Sequence, residues 1–186
     1  MAPNQNHCVN FAKVGSGALV LLSLACITAS HLGYRINSTP SLPEGIWKVD
    51  PMTRPVQRGQ IVSICPVDTA IFQTALSRNY LSWGLCPGGF SSLLKPVAAV
   101  PGDQVSVSVE GITVNGVHVP NSRATTRDSL GWPLTHVQEG CYTVKPGTIW
   151  LVSSHPRSFD SRYFGPLPCA NILGRAKPIW IGGAVQ

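Results

Sequence analysis

Two residues in this chain could do hydrolytic chemistry together: a lysine set against an apolar run and a serine set among prolines. Lys95 opens the stretch Pro96-Val97-Ala98-Ala99-Val100-Pro101, which carries no charge and ends in Gly102-Asp103. Short, valine-bearing and closed by a turn signal, the run predicts a buried strand. A lysine led into such a strand loses the hydration of its charged form. Its pKa falls from about 10.4, and a fall of roughly three units corresponds to about 4 kcal/mol. A neutral amine in an apolar pocket is a base. The commoner fate of a lysine at a strand end is to carry its ammonium to the surface, so the choice depends on whether the chain supplies a nucleophile.

Serine is a poor nucleophile until a base removes its proton. The proline-punctuated segment from Arg35 to Gly45 offers two Ser-x-Pro units, Ser38-Thr39-Pro40 and Ser41-Leu42-Pro43. Ser41 is the stronger candidate, because Thr39 stands two residues before it. The Thr39 hydroxyl can donate to an oxyanion beside a backbone N–H, whereas Ser38 has Ile36 in that position. Pro40 also keeps Thr39 out of the helical region and holds the loop extended. A histidine base is the usual alternative, and His155 lies near Asp160 in sequence. It belongs to no recognisable triad motif, and a loop histidine is most often merely solvated.

The elements that must position these residues are legible in the composition. Of 186 residues only 12% are charged, while 18 Gly and 16 Pro supply many turns, which favours a loop-rich β protein over a helical one. The net charge of +6 comes from scattered single residues with no basic cluster, so a nucleic-acid partner is not expected. From Val14 to Ser30 the chain runs 17 residues without a charge, long enough to span a bilayer, with Lys13 on its N-terminal side. A cleaved secretory signal is the competing reading; the length of the run favours an uncleaved anchor, and both readings export the rest. The expected division is therefore a short inner segment and anchor over 1–34 and an exported domain over 35–186. Of six cysteines, Cys65, Cys86, Cys141 and Cys169 fall in the exported part. They allow three pairings, and with no CxxC element a zinc site is not expected.

Strands are expected at Gly45–Val49, Ile61–Ile64, the Lys95 run, the two-fold alternation of Val105, Val107 and Val109, then Ile112–Val114, Val117–Val119, Cys141–Val144, Thr148–Ser153 and Ile172–Trp180. Glu110-Gly111 and Asn115-Gly116 make the turns of a β-meander. Residues 122–138 show no period and read as a long surface loop. A helix is expected from Thr69 to about Trp83, capped by Asp68 and stopped by Gly84, with Phe72, Leu76 and Tyr80 as its core stripe. Such a helix is about 21 Å long, so Cys65 and Cys86 are partners only if the helix is shorter.

Four segments occur in the order of the boxes of a known family: Ser41-Leu42-Pro43, Arg58-Gly59-Gln60-Ile61-Val62, Lys95 with Pro101-Gly102-Asp103, and Ser158-Phe159-Asp160-Ser161-Arg162-Tyr163. Together they resemble the type I signal peptidases. The Ser-Leu-Pro-Glu-Gly form, the Cys86-Pro87-Gly88-Gly89 segment and the compact size resemble the TraF-type conjugative transfer branch most. General leader peptidases carry Ser-Met-x-Pro and an acidic run where this chain has Ser153-Ser154-His155-Pro156-Arg157. They often have an aspartate where Gln60 stands, and many have a second span and an inserted β domain.

The resemblance implies a Ser–Lys endopeptidase, without cofactor, on a compact and mostly antiparallel β-sheet or barrel-like domain with one short helix behind a single N-terminal transmembrane helix. It implies that Ser41 attacks, Lys95 takes its proton and Thr39 helps bind the oxyanion. Ser158 would orient the amine, and Asp160 and Arg162 would pair to hold the last loop; Asp103 ends a turn. The implied setting is the inner membrane with the catalytic domain facing the periplasm. The implied substrate is an exported precursor, the pilin of a type IV secretion channel. General leader peptidase activity and a non-catalytic assembly role are the alternatives. The self-cleaving repressors share the chemistry but carry a DNA-binding head, for which no recognition helix is present.

Overall fold

Alternation of buried and exposed residues along short Val- and Ile-rich runs builds this molecule, and it does so in two sheets. The structure is a computed structural model; it describes the backbone of residues 6–182 and the side chains of residues 19–182. The chain divides into two units, residues 1–35 and 36–186.

The first unit contains helix α1 (Asn6–His31). From Leu19 to Ile27 its large apolar side chains are exposed, while the hydroxyls of Ser23 and Thr28 donate to carbonyls four residues back. The span expected over 14–30 begins outside the described side chains. Among the described residues no helix is long and apolar enough to cross a membrane, so the anchor rests on the sequence.

The second unit is mainly antiparallel β. Strands β1 (Tyr34–Asn37), β2 (Gly45–Asp50), β3 (Ile61–Ile64), β4 (Trp83–Cys86), β5 (Leu93–Ala99), β6 (Gln104–Ser108), β7 (Gly111–Val114), β8 (Val117–His118), β9 (Gly140–Thr143), β10 (Thr148–Leu151), β11 (Leu167–Pro168) and β12 (Ile172–Ile181) are joined by helices α2 (Ala70–Ser77) and α3 (Ser161–Phe164). One sheet has the order β1-β2-β12-β3-β5-β10-β11 and the other β8-β7-β6-β9. The smaller sheet is the expected meander, with Val105 opposite Val114 and Val107 opposite Ile112. In the larger sheet β5 lies between β3 and β10, antiparallel to both. Residues 122–138 form no strand, as expected.

The region from 65 to 90 departs from the sequence expectation. Helix α2 is eight residues long rather than running to Trp83. Its cap position is Thr69, without a side-chain cap, and Asp68 instead accepts from Gln73 Nε2 at 2.6 Å. The helix stops because Asn79 adopts a left-handed conformation (φ 59°), which asparagine tolerates and which cannot continue a helix. Gly84 is not the stop but part of β4, where a Cβ would lie 2.5 Å from Ser91 Cα. With the helix short, the chain folds back and Cys65 and Cys86 form a disulfide, their Cα atoms 5.5 Å apart. Among the described residues Cys26, Cys141 and Cys169 are free. Phe72, Ala75 and Leu76 are buried with Val62, Ile64, Phe90, Val97 and Leu151, whereas Trp83 is exposed.

Candidate active site

The segment that carries Ser41 is a loop between β1 and β2, and one buried side chain organises it. Asn37, the last residue of β1, donates through Nδ2 to the carbonyls of Thr39 (2.9 Å), Leu42 (3.0 Å) and Pro43 (3.1 Å). Its Oδ1 accepts from the Thr39 hydroxyl at 2.9 Å and from the Thr39 N–H at 3.4 Å. Trp47 Nε1 also donates to the Pro43 carbonyl, and Leu42 packs against the cluster of Trp47, Val49 and Ala176. The loop can thus satisfy its backbone without a ladder partner.

Ser41 is half-buried, and its Oγ lies 3.3 Å from Thr39 Oγ1. Because the single Thr39 hydroxyl proton goes to Asn37, the Ser41 hydroxyl is the donor in that pair. Ser38 is exposed and its side chain makes no hydrogen bond among the described residues.

Lys95 sits inside β5 rather than at its start, since the strand begins two residues earlier at Leu93. Strand alternation places Lys95 on the face of Leu93, Val97 and Ala99, all buried, and leaves it 5% exposed. Its Nζ donates to Ser158 Oγ at 2.8 Å. Burial pushes its pKa down from 10.5 to about 8; Asp160 opposes that fall and Arg162 adds to it. A large fraction of the amine is then neutral just above physiological pH.

Ser158 reaches the amine from a loop built around one buried ion pair. Arg162 meets Asp160 bidentately, with Nε on Oδ1 and Nη2 on Oδ2, both at 2.8 Å and both side chains fully buried. The remaining guanidinium donors reach the carbonyls of Asn121 (2.8 Å), His155 (2.9 Å) and Ser153 (3.2 Å). Asp160 also caps α3 through the Arg162 N–H and accepts from the Ser153 N–H. A buried pair is tolerable when its other donors and acceptors are satisfied, as here. From the other side, Phe159 and Phe164 pack on Phe72 of α2, with ring centroids 6.0 and 4.9 Å away. The disulfide-bounded helix therefore supports the loop that orients the lysine.

The structure brings Lys95, Ser158, Asp160 and Arg162 into one contiguous cluster. Ser41 joins it through its own carbonyl, which accepts from Ser153 Oγ at 2.6 Å. Among the described residues no hydrogen bond links Ser41 Oγ to Lys95 Nζ, and the serine proton is directed at Thr39 instead. Thr39 has its hydroxyl engaged with Asn37, so serving an oxyanion requires that hydroxyl to rotate. His155 makes no contact of a triad: its Nδ1 accepts from the Arg157 N–H, and the Asp160 carboxylate is occupied by Arg162. Burial, then Arg157, Lys95 and Arg162, hold the His155 pKa below its ordinary value. Asp103 ends its turn as expected, accepting from the Val100 N–H and from Asn115.

Sequence reasoning missed Asn37 and Ser153. The first had a signal, an asparagine followed by Ser-Thr-Pro, where side-chain-to-backbone turns are common. The second had none, because its partner is 112 residues away.

The arrangement sets a half-buried hydroxyl and a buried amine of lowered pKa on two segments linked through Ser153 and the Asp160–Arg162 pair. Residues 9–181 match the family model described as "Signal peptidase, peptidase S26". The conjugal transfer protein TraF of Agrobacterium fabrum is 42% identical over 161 residues, covering 87% of this chain and 90% of its own length. The plasmid transfer protein TraF of Escherichia coli is 35% identical over 171 residues, covering 91% and 93%. A crystal structure of a signal peptidase I from Enterococcus faecalis superposes with a TM-score of 0.37 at 21% identity, covering 66% of this chain and 97% of that one.

Proposed function

The chain belongs to the peptidase S26 signal peptidase family, and from that premise we propose a membrane-anchored serine endopeptidase in which Ser41 and Lys95 form the dyad. The observation that carries the reading is the Lys95 amine, buried and held by Ser158, with its pKa near 8. As the Ser41 hydroxyl turns from Thr39 toward the amine, its oxygen attacks the scissile carbonyl carbon and its proton passes to Nζ. The tetrahedral oxyanion is met by the Thr39 hydroxyl and a neighbouring backbone N–H. When the C–N bond breaks, the Lys95 ammonium returns its proton to the leaving amine. Water then attacks the acyl-serine ester, with the neutral amine again as base, which frees Ser41.

The relatives named for conjugal and plasmid transfer favour a precursor used in conjugation, and we assign the pilin of a type IV secretion channel as substrate. The apolar run expected over 14–30 supports anchoring in the inner membrane, with residues from 35 onward in the periplasm. The test is precursor processing in membranes carrying the full chain. Ser41→Ala leaves a folded protein without processing, whereas Ser38→Ala keeps substantial activity. If Ser38→Ala is the dead variant, the nucleophile belongs to the other Ser-x-Pro unit. Intact pilin in cells that hold active enzyme would remove the substrate assignment and leave the peptidase reading standing.

A further inference from the structure

Ser153 is buried, polar and unused by the dyad chemistry. The residue is 2% exposed. Its Oγ accepts from the His155 N–H at 3.1 Å, so its own proton is committed to the Ser41 carbonyl at 2.6 Å. Its backbone is fixed on both sides by the buried pair: the N–H donates to Asp160 Oδ2 at 3.0 Å and the carbonyl accepts from Arg162 Nη2 at 3.2 Å. The loop's internal clamp leaves a complementary gap. Asn37 holds the carbonyls of Thr39, Leu42 and Pro43 but not that of Ser41. The Ser41 carbonyl is held from outside, by a residue that hangs on the same ion pair as Ser158.

We infer that Ser153 is a positioning residue for the nucleophile, tying the Ser41 peptide to the Asp160–Arg162 platform that also sets the lysine amine. This rests on the Ser41–Lys95 reading. Both partners of the dyad then take their separation from one rigid loop, although they lie on different segments of the chain. Without the Ser153 hydroxyl the Ser41 carbonyl turns to water, and the half-buried loop loses the hydrogen bond that ties it to the platform. A misplacement of about 1 Å in a reacting group costs on the order of 10²-fold in rate. Ser153 does not touch the amine, so its loss leaves the lysine titration where it was.

The experiment compares full-length Ser153→Ala and Ser153→Cys with wild type, using Ser154→Ala as the exposed neighbouring control. Turnover is measured on a precursor peptide across pH, and amide hydrogen exchange is followed over residues 38–43. Cysteine keeps the size of serine but donates weakly, so it carries the comparison if the alanine variant folds poorly. Expected are a fall in kcat of roughly 10- to 100-fold, a KM within about twofold, an unmoved pH midpoint, and faster exchange in 38–43; Ser154→Ala behaves as wild type. Wild-type kcat, or unchanged exchange over 38–43, overturns the inference. A shifted pH midpoint does so too, since Ser153 would then act through the amine. A loss fully explained by a smaller fraction of serine-probe-reactive enzyme is a folding effect and overturns it as well. Activity in Ser41→Ala or Lys95→Arg removes the dyad reading itself, and the exchange measurement still judges the Ser153 contact.

Discussion

Ser41 is held by a loop whose carbonyls are taken up by side chains, those of Asn37, Trp47 and Ser153, whereas Lys95 is held by a strand with neighbours on both sides and by Ser158. The first region is half-buried and its carbonyls are met by side chains; the second is almost closed to water. The difference follows from what each group must do. An amine becomes a usable base by losing hydration, and that requires burial in ordered surroundings. A nucleophile must meet a polypeptide from outside, so its segment has to remain at the surface. The nucleophile is therefore positioned by hydrogen bonds and the base by packing.

The sharpest way to break this contrast is to keep the charge at position 95 while removing its ability to lose a proton. Lys95→Arg is expected to be inactive to the same extent as Ser41→Ala, with losses on the order of 10⁴-fold or more. Guanidinium stays protonated throughout the accessible range, so raising the pH does not restore it. An active arginine variant at any pH would show that the position supplies positive charge alone.

The wild-type pH profile tests the burial side of the contrast. Lys95 works as a base only when neutral, and its pKa is lowered to about 8. Hence kcat/KM is expected to rise about tenfold per pH unit below that value and to level off above it. A profile already flat from pH 6 upward would place the essential base elsewhere, and His155 would then be the first residue to examine.

Two substitutions separate the regions from each other. Asn37→Ala removes the loop's internal clamp and is expected to lower kcat roughly 10- to 100-fold with the pH midpoint unchanged. Ser158→Ala removes the partner of the amine, and a loss of similar size is expected to come with a moved midpoint. Identical pH behaviour in the two variants would mean that the Asn37 clamp acts on the amine as well as on the nucleophile.

The same contrast explains what could be read from the sequence. The β-meander was legible because burial on one face leaves an alternating pattern in the residues themselves, and the strand of Lys95 because a short apolar run ends there in a turn signal. Ser158, Asp160 and Arg162 were singled out by likeness to a known family, and in the structure Asp160 pairs with Arg162 while Ser158 accepts from Lys95. The expected helix is too long because Tyr80 continues the four-residue period of Phe72 and Leu76 past the end of α2 at Ser77. The local conformation of Asn79 overrides that period. The Cys65–Cys86 bond turns on the same feature, because those two cysteines can meet only when the helix is short. Asn37 and Ser153 act through hydrogen bonds to backbone carbonyls, and such bonds leave almost no trace in residue type.

The smallest effect sharpens the contrast most directly, because it measures what burying the amine costs the fold. The folded-state pKa of Lys95 is near 8 against 10.5 for the free side chain. Between those values the unfolded chain binds more protons than the folded one, so wild-type stability rises with pH across this window. The penalty is fully present below pH 8, where it amounts to about 3 kcal/mol, and it disappears above pH 10.5. Lys95→Met fills a similar volume and carries no such term, but it strands the Ser158 hydroxyl, which offsets roughly 1–3 kcal/mol of the gain. The sign of the change at one pH is therefore a poor test, and its dependence on pH is the informative one. Stability of Lys95→Met relative to wild type, measured by denaturant unfolding, is expected to be greatest at pH 6–7 and to decline steadily toward pH 10. A difference that stays constant over that range would mean that the amine is no harder to protonate in the folded protein than in the unfolded chain, and burial could not then be what makes it a base.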